Sequence, residues 1–283
     1  MGTIETFTLG GDLKVNRLGF GAMRLTGDGI WGEPKDPAEA KRVLKRAVEL
    51  GVNFIDTADS YGPEVSERII GETLAPYSKG VVIATKGGLT RQGPNKWLPV
   101  GRPEYLRQQA EMSLRRLRVE RIDLYQLHRI DPKVPVEDSL GALTDLQREG
   151  KIRHIGLSEV SPKEIEQASK VAKIVSIQNK YNLSDRTHEE ALNYCERNGL
   201  GFIPWFPVAA GKLAAQGGAL DSLAKQHKAT VAQISLAWLL HRSPVMLPIP
   251  GTSSVKHLEE NVAARDLHLK PEEWKQIEDA AKS

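Results

Sequence analysis

Four side chains in this sequence, Asp56, Tyr61, Lys86 and His128, are of the types that hold, orient and transfer protons. Each closes or follows a short apolar run. Val52-Asn53-Phe54-Ile55 ends on Asp56, with Tyr61 five positions further on; Val81-Val82-Ile83-Ala84-Thr85 runs into Lys86; Ile122-Asp123-Leu124-Tyr125-Gln126-Leu127 runs into His128. A phenol with a pKa near about 10 is a sluggish proton donor at neutral pH, and a neighbouring ammonium lowers that value by favouring the tyrosinate. Lys86 could be that ammonium, Asp56 the carboxylate that keeps it charged and aimed, and His128 a donor to a developing oxyanion. A lysine at such a place can also form a Schiff base with a carbonyl, although that chemistry leaves Tyr61 and His128 without a task.

These residues need rigid elements behind them, and the hydrophobic pattern supplies strands and helices in alternation. Ala40, Val43, Leu44, Ala47 and Val48 form a 3.6-residue stripe that predicts a helix over 38–50, stopped by Gly51. Further helices are expected near 66–74, 103–117, 136–149, 162–171, 187–197, 221–227, 230–241 and 255–264, and from 271. Strands are expected at 18–21, 52–55, 81–85, 122–127, 152–158, 174–178, 201–205 and 245–248, while 87–102 reads as a Gly/Pro-rich loop. Ahead of them Phe7-Thr8-Leu9 and Leu13-Lys14-Val15 flank Gly10-Gly11-Asp12, a hairpin signal. Eight strand-then-helix units without a linker predict one α/β domain over 1–283, a (β/α)8 TIM barrel with an N-terminal β-hairpin over one end and extra C-terminal helices. Such a barrel keeps its chemistry at the carboxyl ends of its strands, where the four residues fall. A doubly wound open sheet is the alternative. It calls for G-x-G-x-x-G after the first strand, and Gly19-Phe20-Gly21-Ala22-Met23-Arg24 has only the first two glycines.

Composition narrows the partners. With 39 basic and 36 acidic side chains, a formal charge of +3 and no long basic block, neither nucleic acid nor a membrane surface is expected. The cluster Arg115-Arg116-Leu117-Arg118 suits the solvated C-terminal end of a helix. Cys195 is the sole cysteine, so an internal disulfide is excluded. The N-terminus carries no basic and apolar leader and no run reaches 18 apolar residues, so a soluble cytoplasmic protein is expected.

The motifs together resemble the aldo-keto reductase family. The segment 53–62, followed by Ser66-Glu67 and Gly71, is similar to that family's most distinctive signature. Ala84-Thr85-Lys86, Asp123-Leu124-Tyr125-Gln126-Leu127-His128, Gly156-Leu157-Ser158, Gln178-Asn179-Lys180-Tyr181-Asn182, Ile249-Pro250-Gly251-Thr252 and Glu260-Asn261 follow in family order. The resemblance implies a monomeric, metal-free, NADPH-dependent reductase of small-molecule carbonyls, with NADH a less suitable cofactor. It makes Asp56, Tyr61, Lys86 and His128 the catalytic set, with Tyr61 as proton donor. A cofactor-binding regulatory subunit with little turnover is the alternative on the same scaffold.

Cofactor contacts carry over position by position. Ser158 and Gln178 would meet the nicotinamide carboxamide, with Gly21, Ala22, Met23 and Asp56 close by. Trp205 stands where the family stacks an aromatic ring, and Phe206, Pro207, Gly211, Lys212 and Leu213 match the loop around the pyrophosphate. At the adenosine end are Ile249, Gly251, Thr252, Ser253, Lys256, His257, Glu260 and Asn261. This sequence departs from the family at two places: His257 replaces an arginine that grips the 2′-phosphate, and Glu159 replaces an asparagine at the carboxamide. A carboxylate can only accept hydrogen bonds. Substrate residues are expected among Met23, Arg24, Trp31, Tyr61, Trp97, His128 and Arg129, around a comparatively open mouth.

Overall fold

The computed structural model describes residues 5–208 and 218–282. Strands β1 (Thr6–Leu9) and β2 (Leu13–Asn16) form the expected antiparallel hairpin. The alternating part then runs β3 (Phe20–Gly21), α1 (Pro37–Glu49), β4 (Phe54–Asp56), α2 (Val65–Leu74) and β5 (Val82–Gly87). After β6 (Leu89–Gly93) and β7 (Lys96–Pro99) come α3 (Pro103–Leu117), β8 (Ile122–Leu127), α4 (Val136–Arg148), β9 (Ile152–Ser158), α5 (Pro162–Ser169), β10 (Ile174–Gln178), α6 (Glu189–Asn198) and β11 (Gly201–Phe202). Helices α7 (Ala219–Gln226), α8 (Val231–Arg242), α9 (Val255–Ala263) and α10 (Pro271–Lys282) complete the order.

Strands β3, β4, β5, β8, β9, β10 and β11 lie side by side in one parallel sheet. The stretch 245–250 closes it. Phe202 N–H donates to Val245 O and Leu247 N–H to Phe202 O, both at 2.8 Å, while Gly19 N–H donates to Pro248 O at 3.0 Å and Gly21 N–H to Pro250 O at 3.4 Å. Both prolines lack an N–H and can only accept. The eighth position is therefore an irregular extended segment rather than the regular strand expected at 245–248, yet it bonds to neighbours on both sides. The sheet becomes a (β/α)8 barrel.

Two apolar layers hold it. Ile55, Ile83, Tyr125, Leu127, Ile155, Leu157 and Ile177 point outward into the layer beneath the helices. Phe54, Val82, Ala84, Leu124, Val175, Ile203 and Leu247 point inward, and Leu9, Leu13 and Val15 of the hairpin pack onto this inner group as a plug. Helix caps follow the sequence: Asp36 caps α1 through Glu39 N–H, and Ser161 and Thr230 form capping boxes with Glu164 and Gln233. One glycine is fixed by close approach. A Cβ on Gly71 of α2 would lie 2.1 Å from the carbonyl oxygen of Arg116, so α2 and α3 meet backbone to backbone.

The stretch 87–102 departs from the loop expected for it. It forms the antiparallel hairpin β6–β7, which its Gly and Pro content concealed. Arg91 fastens it down: the guanidinium donates to the carbonyls of Gly29, Ile30, Ser60 and Gly93, its Nε donates to Lys96 O, and its plane lies 3.6 Å from the Trp97 ring centroid. The hairpin brings Trp97 against Tyr61 and His128.

Candidate active site

Side chains alternate along a strand with period two. Two residues beyond the inward Phe54 stands Asp56, and two beyond the inward Ala84 stands Lys86. Two beyond the inward Leu124 stands Gln126, with His128 a further two along. Facing pairs in the ladder, Lys86 with Gln126 and Ser158 with Gln178, hold neighbouring strand ends level. Tyr61 enters from the turn after β4, whose Gly62 has φ 108° and no room for a Cβ, because Val65 would lie 2.4 Å away.

The four predicted residues come together. Lys86 is fully buried and all three of its N–H donors are used: Asp56 Oδ1 at 2.5 Å, Thr57 O at 2.8 Å and Tyr61 Oη at 3.4 Å. Asp56 Oδ2 accepts from Gln126 Nε2 and Gln178 Nε2, each at 2.9 Å. The His128 ring meets Tyr61 edge-on at 5.9 Å between centroids, and its Nδ1 is 3.4 Å from Ser60 Oγ. The tautomer in which Ser60 Oγ donates to Nδ1 leaves the imidazole proton on Nε2.

Burial alone would lower the Lys86 pKa, but the Asp56 carboxylate and the Tyr61 phenol outweigh it, and the net shift is upward. An amine held protonated by a buried carboxylate is a poor Schiff-base nucleophile. Tyr61 corrects the expectation of a lowered phenol. Burial pushes it up, the Lys86 ammonium pulls it down, and the net direction is up. Tyr61 is therefore fully protonated at neutral pH. His128 is held well below the usual imidazole range by burial, reinforced by the positive charges of Lys86, Arg129 and Arg91. It is a neutral imidazole.

The last shift has a measurable consequence. Unfolded, His128 takes up a proton near about pH 6.5; folded, it resists, so the unfolded chain binds more protons below that pH and stability falls as pH descends through about 6.5. His128→Asn removes this contribution. Urea midpoints between about pH 7 and 5 should fall less steeply in the variant, and equal slopes would contradict a neutral His128.

A cavity of about 660 Å³ opens over these groups. Of the expected residues, Gly21, Met23, Arg24, Asp56, Tyr61, Trp97, His128, Arg129, Ser158, Gln178, Trp205, Phe206, Pro207, Ile249 and Gly251 line it. Ala22 is buried beside it, and Trp31 lies outside the lining with its ring 5.5 Å from the Arg91 guanidinium. Thr252, Ser253, Lys256, His257, Glu260 and Asn261 lie beyond the lining, on α9 and the turn before it. At this turn Val255 N–H donates to the Glu39 carboxylate and Ser254 N–H to Thr252 Oγ1. Gly211, Lys212 and Leu213 fall outside the described residues.

A family model, that of the aldo/keto reductase family, matches residues 17–282. The chain belongs to that family. It is 56% identical to an uncharacterised oxidoreductase of Schizosaccharomyces pombe over 96% of this chain and 89% of the relative. It is 44% identical to the pyridoxine 4-dehydrogenase of Escherichia coli over 95% of each. An aldo-keto reductase from Klebsiella pneumoniae, solved in complex with NADPH, superposes with a TM-score of 0.84 at 25% identity, over 98% of this chain and 95% of that one.

Against this aldo/keto reductase frame, several parts of the signature segment are structural. Thr57 Oγ1 donates to Ser66 Oγ, which donates to Ala22 O, and Glu67 accepts from Thr85 Oγ1 and Arg116 Nε. These bonds fix β4, α2, β5 and α3 around Tyr61. Sequence reasoning missed Gln126, which holds Asp56 from within β8, although a polar residue two before His128 in an apolar strand was a usable signal. It also missed the anchoring role of Arg91, and Ile30 in the cavity wall, for which a single residue gives no signal. Among the described residues no helix is long and apolar enough to cross a membrane.

Proposed function

We propose that this aldo/keto reductase reduces aldehydes and ketones to alcohols with NADPH. The observation that carries the reading is the satisfied chain Asp56–Lys86–Tyr61 ending at a protonated phenol on the cavity floor. The residues present fit a nicotinamide. The Ser158 hydroxyl and the Gln178 amide stand at facing strand ends, Gln178 Oε1 can accept from an amide, and Trp205 offers a flat ring in the same wall. A bound nicotinamide supplies the hydride that the carbonyl carbon receives.

The chain's own residues supply the rest. Tyr61 hands its phenolic proton to the carbonyl oxygen as negative charge grows there. Lys86 stabilises the tyrosinate left behind, and its charge is kept by Asp56. Neutral His128 donates its remaining N–H to the same oxygen, which orients the carbonyl without adding a second cation. Trp97 closes the apolar side of the cavity and limits water.

For the substrate we infer the aldehyde partner of pyridoxine at C4. The reading is supported by the 44% identity to the Escherichia coli pyridoxine 4-dehydrogenase. The Trp97 ring and the Arg129 guanidinium, both in the cavity wall, also suit a flat ring bearing an acidic hydroxyl. NADPH is favoured by the Klebsiella pneumoniae relative, with His257 and Lys256 offered for the 2′-phosphate. Following NADPH absorbance with pyridoxal and a panel of aliphatic and sugar aldehydes tests this. Pyridoxal is expected to give the highest kcat/KM, with NADPH preferred to NADH. A protein that binds NADPH and reduces none of the panel would be a cofactor-binding regulator instead.

A further inference from the structure

Glu159 stands where the family has an asparagine, and a carboxylate cannot donate to a carboxamide carbonyl. The structure gives it a different task. Its backbone is in the left-handed region, φ 57°, at the first position past β9, and its N–H donates to Gln178 O at 3.1 Å. That turns the side chain across the ends of β10 and β11. Glu159 Oε1 accepts from the Trp205 indole Nε1 at 2.6 Å and from Lys180 N–H at 2.7 Å. Its other oxygen is 3.6 Å from His188 Nε2. Asn179 Nδ2 donates to His188 Nδ1 at 3.1 Å, so the ring proton sits on Nε2 and faces the carboxylate.

The backbone of Trp205 is tied to the same corner. Its N–H donates to Asn179 O at 3.1 Å and its carbonyl accepts from Tyr181 N–H at 3.4 Å. The main chain is thus fixed by β10, and among the described residues the Glu159 carboxylate is the hydrogen-bond partner that fixes which way the indole turns about its own side-chain torsions. Trp205 lines the same cavity as Gln178 and Ser158. A charge-assisted bond to an indole is possible only because position 205 carries a ring with an N–H and position 159 a carboxylate.

We propose that Glu159 is a positioning residue that locks the Trp205 ring as the platform for the nicotinamide, so that the Glu159–Trp205 pair replaces the usual asparagine at 159 as a means of binding the cofactor. This rests on the cofactor reading above, in which Trp205 faces the nicotinamide.

The test measures NADPH binding directly, by titrating protein fluorescence, in Glu159→Ala, Glu159→Gln, Trp205→Phe and the Glu159→Ala/Trp205→Phe double variant. Alanine and glutamine bear the left-handed backbone about as well as glutamate, so strain at 159 cancels among them. Glu159→Ala is expected to weaken NADPH binding by about threefold to tenfold, the scale of one typical lost hydrogen bond. Glu159→Gln, which keeps an acceptor oxygen, should recover most of that loss. In the Trp205→Phe background, where no N–H exists to hold, Glu159→Ala should change the affinity little further. An undiminished loss in that background, or no loss in Glu159→Ala while Trp205→Phe binds more weakly, overturns the pairing and leaves the cofactor site intact. Unchanged affinity in Trp205→Phe and Trp205→Ala removes Trp205 from the cofactor site and the proposal with it.

Discussion

Tyr61→Phe will lower kcat for aldehyde reduction by at least ~100-fold, the scale of a lost proton donor, while NADPH binds almost as tightly as to the wild type. The variant removes one atom. The phenyl ring keeps its edge-on packing against Trp97 at 6.3 Å and His128 at 5.9 Å between centroids, so the wall of the cavity persists. Lys86 loses its weakest partner, at 3.4 Å, and keeps Asp56 and Thr57 O. What disappears is the proton for the new alkoxide, and water is a poor substitute at a phenol that is 7% exposed. Rapid mixing of enzyme, NADPH and aldehyde reads the chemical step apart from product release. A Tyr61→Phe enzyme that consumes NADPH at the wild-type rate would assign the proton donor elsewhere.

Asp56→Ala is expected to cost about 3–5 kcal/mol of folding stability, the range for removing one partner of a buried ion pair, and to abolish measurable turnover. Lys86 is fully buried, and with Asp56 gone only neutral oxygens face its ammonium. The amine then sheds its proton or the local structure opens to water. Gln126 and Gln178 also lose their common acceptor, which loosens the strand ends beneath the cavity. Lys86→Met in the same chain separates charge from structure. An apolar residue of similar volume can replace a buried ion pair at little cost, so Asp56→Ala/Lys86→Met should regain most of the urea midpoint while staying inactive. A double variant no more stable than Asp56→Ala would show that the loss is not one of an orphaned charge.

Much of this was legible in the sequence. Ile152–Ser158 and Ile174–Gln178 have the residue bounds expected of them, because short runs rich in Ile, Val and Leu bounded by polar turns mark buried parallel strands. Asp56 and Lys86 belong to strands rather than to the loops after them, a shift of a residue or two that period-two alternation explains. The eighth strand was misread in kind, since Pro248 and Pro250 accept hydrogen bonds but cannot donate them. The β6–β7 hairpin was hidden because its strands are half-exposed and anchored by Arg91, a long-range contact with no local signature. Electrostatics was the least legible part. The sequence suggested that Lys86 would lower the Tyr61 pKa, but the full burial that reverses the net shift is a property of the folded barrel. Glu159 was recognised only as a departure from the family. Its partnership with Trp205 spans 46 positions and emerges where two strand ends meet.

The central claim is that a hydride passes to a carbonyl carbon in this cavity while Tyr61 supplies the proton. The most direct measurement uses NADPH deuterated at the transferring position of nicotinamide C4 with pyridoxal in ordinary water, followed by mass spectrometry of the alcohol. The account predicts one deuterium on the new carbinol carbon with the wild type and almost no product from Tyr61→Phe. An unlabelled alcohol, or NADPH that binds and is never consumed, would contradict it.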